Sequence, residues 1–386
     1  MRLLVISPWC DDIELETCRG TPENAYLFRE ILNRGHEIIF VCQGTEAEIP
    51  ENMKKRIRYY VAKPFPCLKP SKLNYVTTPI LHYFYEKYLA ETIQKILQTS
   101  KVDMIYNIAG YGHPALLKLS RKYKVPYAVK TMGTIQYEKY VKMTWGKLLY
   151  FREHLVFKHL ADHYFLVDDG TRSLKIAKIY SIPDDRLTVL SNAKPDKAFT
   201  KPASFKNTIG YFSRFDRLKG TDLFILVASQ VIKLNPNIKF LIAGDGPMRP
   251  QILKFSNKFS GNVEYLGFLT YLETQKTFQE IDLLISTNRY SNMTLNVIEA
   301  LTYGIPVVTF NTQDTSKLVK DGFNGFLIKP FDTKEMVKKV LSIFEKPDLF
   351  SLLQRGALET VKTIPTWEER SKLETNKLEE LANEIY

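Results

Sequence analysis

The sequence predicts an α/β protein with two doubly wound parallel sheets, and three observations lead to this fold class. Short apolar runs rich in β-branched residues alternate with amphipathic helical stretches along most of the chain. The alternation stops at a polar, proline-containing stretch, residues 192–207, and then begins again. The chain has 386 residues, of which 45% are hydrophobic, and this is enough for two domains with separate cores.

The first half contains five predicted strands. RLLVISP predicts the first, and NAYLFREILNRGHEIIFVC predicts a helix, a glycine turn and a second strand. VDMIYNIA, PYAVKT and YFLVDD predict the other strands, with one helix in PALLKLSRKY and another over residues 171–180. Because strands joined through helices lie parallel, we predict an N-terminal doubly wound domain over residues 1–195.

The second half repeats this organisation. NTIGYFSR, IKFLIAGDGP, VEYLGF and DLLIST predict strands, and the segments between them predict helices over residues 221–234, 248–257 and 272–279. YSNMTLNVIEALTYGIPVV then predicts a helix that ends at Gly304 and Pro306, followed by a short buried strand. We predict a second domain over residues 207–365, a hinge near 195–206 and a final segment over 366–386.

The positions of the cysteines and the N-terminal residues indicate the cellular compartment of the protein. The four cysteines all lie in the first fifth of the chain without a CxxC spacing, which argues against a zinc site or a disulfide framework. MRLLVISPW is too short for the apolar region of a signal peptide, and no run approaches the length of a membrane span. We therefore expect a cytoplasmic protein.

Positive charge is concentrated in one stretch. Residues 51–160 hold 20 Lys and Arg against 6 Asp and Glu, whereas the whole chain has a net charge of +12. This stretch is also aromatic, as in KKRIRYYVAKPF and QYEKYVKMTWGKLLYF. Such a surface suits phosphates, nucleic acid or an anionic membrane, and a generally solvated Lys-rich surface is the alternative.

The residues Ser291, Asn292, Met293 and Thr294 precede the apolar helix that contains Glu299. The first backbone N–H groups of a helix lack partners and lie at the positive end of the helix dipole. This segment can therefore hold an anion or sugar oxygens, and the alternative is that Ser291 or Asn292 only caps the helix.

Several segments of the second half resemble the nucleotide-sugar-binding half of the family 4 retaining glycosyltransferases. They are, in the family's order, GYFSRFDRLKG, FLIAGDGP, VEYLGF, DLLIST, IEALTYGIPVV and DGFNGFLI. The first half is similar more loosely, through its first strand, RGHEIIFVC and VLSNAKPDKAF. The resemblance implies the GT-B architecture: two Rossmann-like domains that face each other across a cleft. It also implies that the C-terminal helix, residues 366–386, returns to the first domain.

The resemblance also implies roles for individual residues. Arg214 and Lys219 of SRFDRLKG match the family's pair that neutralises the leaving diphosphate, which needs positive charge but no metal. Glu299 matches the second acid of the Glu-x7-Glu motif, which accepts hydrogen bonds from ribose hydroxyls. The backbone at Gly267 and Phe268 matches the segment that reads the nucleobase edge. We expect Asp216 and Arg217 to be solvated and the glycines of GDGP to be structural.

Two positions depart from the family's pattern. The first acid of the motif is replaced by Ser291, and the loop that follows it, commonly Gly-Phe-Gly, is here Asn292-Met293-Thr294, with Leu295 as the next donor-binding candidate. Met132 of KTMGT stands where many relatives have a histidine, and we predict His113 of GYGHP as its spatial substitute. Gly20 and Thr21 precede a predicted helix, where they could approach the donor phosphate or the acceptor.

The resemblance implies a metal-independent, retaining hexosyltransferase that needs no cofactor and uses a UDP- or GDP-linked sugar as its donor substrate. The acceptor would be a glycan or glycolipid hydroxyl, lipid-linked or on a polysaccharide, bound by the basic first domain, with the protein peripheral at the inner face of a membrane. The alternatives are a sugar phosphorylase and a non-catalytic relative that only binds nucleotides. A nucleic-acid binder is suggested by charge alone, and because no motif supports it we expect no nucleic acid as partner.

Overall fold

The computed structural model describes residues 1–8, 13, 15, 18, 22–43, 54–62, 74–134, 137–196, 205–290 and 295–384. The chain forms two compact units. The first contains Pro22–Ser191 together with Met1–Cys18 and Glu368–Tyr386, and the second contains Asn192–Trp367. In both units the strands form one parallel sheet with helices in the connections, so the predicted α/β fold class is confirmed.

The first unit is built on a parallel sheet whose seven described strands follow the order β3-β2-β1-β4-β5-β6-β7. These strands are β1 (Arg2–Ser7), β2 (Glu37–Gln43), β3 (Ile57–Ala62), β4 (Met104–Ile108), β5 (Tyr127–Thr131), β6 (His163–Asp168) and β7 (Leu187–Ser191). Its helices before the second unit are α1 (Glu23–Asn33), α2 (Asn74–Thr99), α3 (His113–Tyr123), α4 (Tyr137–Tyr140), α5 (Thr144–Leu149), α6 (Phe151–Lys158) and α7 (Ser173–Ile179).

Both faces of this sheet are buried, which explains its near-continuous apolar strands. Along β1, Leu4 and Ile6 pack into one core cluster, and the alternating Leu3 and Val5 pack into another on the opposite face. The sequence prediction had no strand at β3, whose charged and aromatic residues lie at the edge of the sheet.

The second unit has six described strands, in the order β10-β9-β8-β11-β12-β13, and all of its neighbouring strands are parallel. They are β8 (Thr208–Phe212), β9 (Lys239–Ala243), β10 (Val263–Tyr265), β11 (Leu283–Ser286), β12 (Val307–Phe310) and β13 (Gly325–Ile328). Its helices are α8 (Thr221–Leu234), α9 (Arg249–Lys258), α10 (Tyr271–Phe278), α11 (Leu295–Thr302), α12 (Thr333–Glu345) and α13 (Pro347–Thr360).

The strand order of the second unit reverses between β8 and β11, which are neighbours in the sheet. The chain leaves the carboxyl ends of these two strands in opposite directions, and a crevice forms there in doubly wound sheets. The loops that follow β8 and β11 therefore stand at the position where this fold binds ligands.

The last helix, α14 (Trp367–Asn383), belongs to the first unit from Glu368 onward. Its Leu378 and Leu381 join the core cluster that contains Leu3 and Val5. The predicted return of the C-terminal helix to the first domain is thus confirmed. No helix in the described part of the chain is both long and apolar enough to cross a membrane.

Candidate functional site

A pocket lies at the carboxyl ends of the strands of the second unit, at the crevice described above. The ends of β8 and β9, the loop after β10, and α10 and α11 contribute to it. The residues that line it are Phe212, Ser213, Arg214, Ala243, Gly244, Asp245, Phe268, Leu269, Tyr271, Thr274, Leu295, Asn296 and Glu299. The pocket therefore brings together Arg214, Phe268, Leu295 and Glu299 from the predicted site.

The loop between β8 and α8 carries Arg214 and Lys219, and the segment after β11 fixes its backbone. Thr287 donates a hydrogen bond from Oγ1 to the Gly220 carbonyl at 2.9 Å, and the Arg289 N–H donates to the Leu218 carbonyl at 2.9 Å. Gly220 has φ +70°, and a Cβ at this position would stand 1.9 Å from the Thr287 carbonyl oxygen. Only glycine allows this approach, so the turn that presents Lys219 depends on it.

Asp216 organises the same loop from within. Its Oδ1 accepts a 2.7 Å hydrogen bond from the Lys219 N–H, and its other oxygen pairs with the Arg214 guanidinium. Its side chain is only 15% exposed, so the prediction that Asp216 is solvated was wrong, whereas Arg217 is exposed as predicted. The Arg214 side chain is 64% exposed. Because exposed ion pairs contribute little stability, an incoming anion can attract this guanidinium at small cost.

Glu299 presents a buried carboxyl group to the pocket. The residue is 6% exposed, and Gln275 Nε2 donates a 2.9 Å hydrogen bond to its Oε1. Burial raises the pKa of Glu299 to about 7, although the hydrogen bond from Gln275 acts in the opposite direction. A carboxylate with further acceptor capacity at the wall of a pocket can bind hydroxyl donors, and this is the chemistry predicted for Glu299.

The loop after β10 supplies an aromatic surface. Phe268 is 48% exposed and lines the pocket, so its ring is available to pack against a planar group. Gly267, at φ +77°, accepts a 2.8 Å hydrogen bond from the Gly244 N–H through its carbonyl. A Cβ at Gly244 would lie 1.9 Å from the Ser213 carbonyl oxygen. This close packing supports the structural role predicted for the GDGP glycines.

Asn296 is a pocket residue that the sequence pattern does not predict. Its Nδ2 donates a 2.7 Å hydrogen bond to the Phe212 carbonyl, while its buried Oδ1 has no hydrogen-bond partner. Buried acceptors of this kind are uncommon, and here the residue lines the pocket. The sequence feature that could have indicated this residue is a side-chain amide in a mainly apolar helix, three residues before Glu299.

In the first unit, His113 is packed in the interior. It is 1% exposed, and its Nε2 donates to the His159 carbonyl at 2.5 Å. Its Nδ1 lies 3.0 Å from the Tyr127 hydroxyl, which therefore donates to it. Burial lowers the pKa of His113 to about 4, so the ring is neutral. This geometry supports a structural role and does not support the predicted catalytic one.

The remaining predicted residues lie outside the described residues. They are Gly20 and Thr21 before α1, and Ser291, Asn292, Met293 and Thr294 before α11. Their roles stay predictions. Within the described ranges, no group of three or more His, Cys, Asp or Glu side chains could hold a metal ion.

Comparison with known proteins finds a family model that matches the second unit and curated enzymes that match part of the chain. Residues 193–357 match the family model of the glycosyl transferases group 1. The chain is 28% identical over 149 residues to α-D-kanosaminyltransferase of Streptomyces kanamyceticus, covering 38% of this chain and 39% of that enzyme. It is 33% identical over 156 residues to poly(ribitol-phosphate) α-N-acetylglucosaminyltransferase of Staphylococcus aureus, covering 40% and 31%. The chain thus spans well under half the length of these two curated relatives.

The fold as a whole is similar to solved structures. A crystal structure of a TarM mutant from S. aureus, in complex with Fondaparinux, α-GlcNAc-glycerol and UDP, matches with a TM-score of 0.70. The match covers 99% of both chains at 16% identity. Over this whole length the two share a fold, which places the chain among proteins of GT-B architecture.

Proposed function

We propose that this protein is a retaining glycosyltransferase of the family 4 type that transfers a hexosyl group from a nucleoside diphosphate sugar to a hydroxyl acceptor. The single observation that carries the proposal is the pocket of the second unit. There an exposed guanidinium, Arg214, and a buried carboxyl group, Glu299, line one crevice at the strand ends. That pocket lies inside the segment that matches the glycosyl transferases group 1 model.

The donor we propose is a UDP-linked sugar, with a GDP-linked sugar as the alternative. UDP is favoured because it is bound in the TarM structure that has the same fold. Glu299 would accept hydrogen bonds from the ribose hydroxyls, and the segment at Gly267 and Phe268 would contact the base. Arg214 and Lys219 would neutralise the diphosphate as the leaving group gains charge, so that no metal ion is required.

The proposed reaction needs no enzymic nucleophile. The bond between the anomeric carbon and the diphosphate oxygen breaks, and the acceptor oxygen forms a new bond to the same face of that carbon. The acceptor proton passes to the departing phosphate. The buried His113 is then not needed as a base, and the replacement of a family histidine by Met132 is compatible with turnover.

The acceptor and the membrane are proposed from the surface of the first unit. Near α5, Met143, Trp145 and Leu148 are each about half exposed, and exposed Lys139 and Lys142 lie beside them in sequence. We call Met143, Trp145 and Leu148 the α5 patch. Aromatic and cationic side chains suit the headgroup region of an anionic bilayer. We therefore propose a peripheral, cytoplasmic enzyme acting on a lipid-linked or polysaccharide acceptor.

The test of the proposed function is a ligand and donor screen. Thermal unfolding is measured with UDP, GDP and ADP, because a ligand that binds only the native state raises its stability. Transfer is then measured with UDP- and GDP-linked hexoses and with glycolipid and glycan acceptors. A nucleotide that stabilises the wild type but much less the Glu299→Ala variant is expected, together with sugar transfer. Absence of binding by all three nucleotides would refute the proposal.

The same screen separates the two alternatives. A phosphorylase would release a sugar phosphate when inorganic phosphate replaces the acceptor. A non-catalytic relative would bind a nucleoside diphosphate without transfer or hydrolysis across the panel. This second alternative is favoured by one observation: His113 is buried, and position 132, where many relatives have a histidine, holds a Met.

A further inference from the structure

A buried hydrogen-bonded chain stands behind the carboxyl group of the pocket. Tyr303 donates a hydrogen bond from its hydroxyl to Gln275 Oε1, and Gln275 Nε2 donates to Glu299 Oε1 at 2.9 Å. Gln275 and Tyr303 are 6% and 3% exposed. The amide of Gln275 therefore connects two side chains that lie one helical turn apart, because Glu299 is in α11 and Tyr303 follows its last turn.

The polarity of this chain is set by its two ends. A side-chain amide has one oxygen that only accepts and one nitrogen that only donates. When the Tyr303 hydroxyl donates to Oε1, the amide nitrogen must face Glu299. The reversed amide would place its oxygen against the carboxylate oxygen, which is unfavourable between two acceptors in a buried site.

We propose that Gln275 is a positioning residue of the pocket: oriented by Tyr303, its amide holds the Glu299 carboxyl group as an ionised acceptor for a ligand with adjacent hydroxyls. The inference rests on the proposed function for the identity of that ligand. Only one of the several acceptor positions of the carboxylate is used by Gln275, so two hydroxyl donors can still bind.

No charged side chain is described in direct contact with Glu299. The charged residues on the helices packed around α11 are exposed, and they are Glu273, Lys276, Asp348, Arg355, Glu359 and Lys362. Arg214 and Asp245 also line the pocket, and Tyr303 is the titratable group at the far end of the chain. The hydrogen bond from Gln275 is thus the described interaction that favours the ionised form, in opposition to burial.

This arrangement predicts a pH dependence of ligand binding. Hydroxyl donors bind the ionised carboxylate, so affinity is full above the pKa of Glu299, about 7, and falls as the pH drops below it. Loss of the Gln275 donor raises that pKa further. At pH 7 the affinity of the Gln275→Met variant for UDP should be lower than that of the wild type by at least about tenfold, the effect of one hydrogen bond to a charged group. Near pH 9 its affinity should recover toward the wild-type value.

The experiment is a calorimetric titration with UDP from pH 5.5 to 9. It compares the wild type with Gln275→Met, which keeps the side-chain length, and with Tyr303→Phe, which removes only the hydroxyl. Gln251→Met, at an exposed glutamine of α9, is the matched control. We expect the pH at which binding weakens to move upward in Gln275→Met, to move less in Tyr303→Phe and to stay unchanged in the control. A loss of affinity that is the same at every pH would indicate a merely structural role and overturn the proposal.

A second measurement keeps this inference separate from the proposed function. The side-chain carboxyl resonance of Glu299 is followed by NMR in the ligand-free protein, with Glu299→Gln as the assignment control. Its titration should move to higher pH in Gln275→Met, whatever the ligand is. An unchanged titration would refute the role of Gln275 even if UDP binds. A shifted titration without any nucleotide binding would instead refute the proposed function.

Discussion

Replacement of Lys130 by Met should destabilise the first unit through a buried ion cluster. Lys130 Nζ lies 3.0 Å from Glu374 Oε1 and 3.1 Å from Glu23 Oε1, and Arg370 Nη2 lies 3.0 Å from Glu23 Oε2. The Tyr106 hydroxyl donates to Glu374 at 2.5 Å. All four charged residues are at most 4% exposed, and together they join α1, β5 and α14.

The expected loss of unfolding free energy follows from the charge balance of this cluster. The cluster has two positive and two negative side chains, and Lys130→Met leaves one carboxylate without a counter-charge in the interior. Removal of one partner from a buried pair costs about 3–5 kcal/mol of unfolding free energy. The double variant Lys130→Met/Glu374→Gln restores neutrality, so it should be more stable than Lys130→Met alone. Rescue of this kind distinguishes a charge effect from lost packing.

The pH dependence of stability gives a second test of this charge effect. Burial acts to raise the pKa of Glu23, but the charges of Lys130 and Arg370 outweigh it and the pKa is lowered. A lowered pKa contributes stability that is present above the unfolded value, about 4.3, and is lost as the pH falls through the folded value. Without Lys130 this contribution shrinks, so the cost of the substitution should be largest near pH 7 and smaller near pH 4.

The assay is native-state hydrogen exchange of the full chain, read at the amides of β4 and β5, which report the opening of this unit. Lys118→Met is the matched control, because Lys118 is an exposed lysine of the same unit. The control should change the opening free energy by no more than about 0.5 kcal/mol. If Lys130→Met cost no more than the control, or if the double variant were less stable than the single, the reasoning would be refuted.

Three further predictions concern function. Arg214→Ala or Lys219→Ala should lower sugar transfer by more than about tenfold without unfolding the protein, on the scale of one lost charge-stabilising donor, and near-normal turnover in either folded variant would contradict a role of that residue in neutralising the diphosphate. Trp145→Ser in the α5 patch should weaken flotation with anionic vesicles at low salt, and a wild type that does not prefer anionic over neutral vesicles would leave only a solvated surface. Ser291→Glu should alter the ranking of donor sugars in a panel assay, because the resemblance implies that the acid usual at this position addresses the donor sugar, while binding of the bare nucleotide, measured by calorimetry, should change little. An unchanged ranking would contradict a role of residue 291 in donor specificity.

The fold could be predicted because its signal is local and repeated. Helix α8 runs over Thr221–Leu234, the range that periodicity gave, and α7, α9 and α10 differ from the predicted ranges by at most two residues at each end. Strand β3 is not predicted because its IRYYVA segment contains Arg58 and two tyrosines, a composition that indicates a basic, aromatic surface. An edge strand needs fewer apolar residues than a central one, so its pattern is weaker.

The site could be predicted only where side chains act through a motif. Arg214, Phe268 and Glu299, to which the resemblance gives roles in donor binding, line one pocket, and those roles stay predictions. The burial of His113 was not visible, because GYGHP follows a strand end and predicts a loop, whereas the ring turns inward to Tyr127 and the His159 carbonyl. Contacts between distant residues leave no periodic signal. Nothing in PYAVKT distinguishes Lys130 from a solvated lysine, because its partner Glu374 lies 244 residues later in the chain.

The pocket of the second unit combines two kinds of polar group. The difference between them bears on how the pocket would bind the proposed nucleotide sugar. The Arg214 guanidinium is exposed and, among the residues that the structure describes, pairs with Asp216 of its own loop, although the backbone of that loop is fixed by Thr287 and Arg289. An adjustable cation on a fixed backbone suits a diphosphate whose charge increases during the reaction, because it can follow that charge. Glu299 is the opposite case, since a buried donor holds it from behind. A fixed acceptor suits hydroxyl groups that do not change during the reaction, so recognition of the donor and stabilisation of its leaving group would rest on different walls of one pocket.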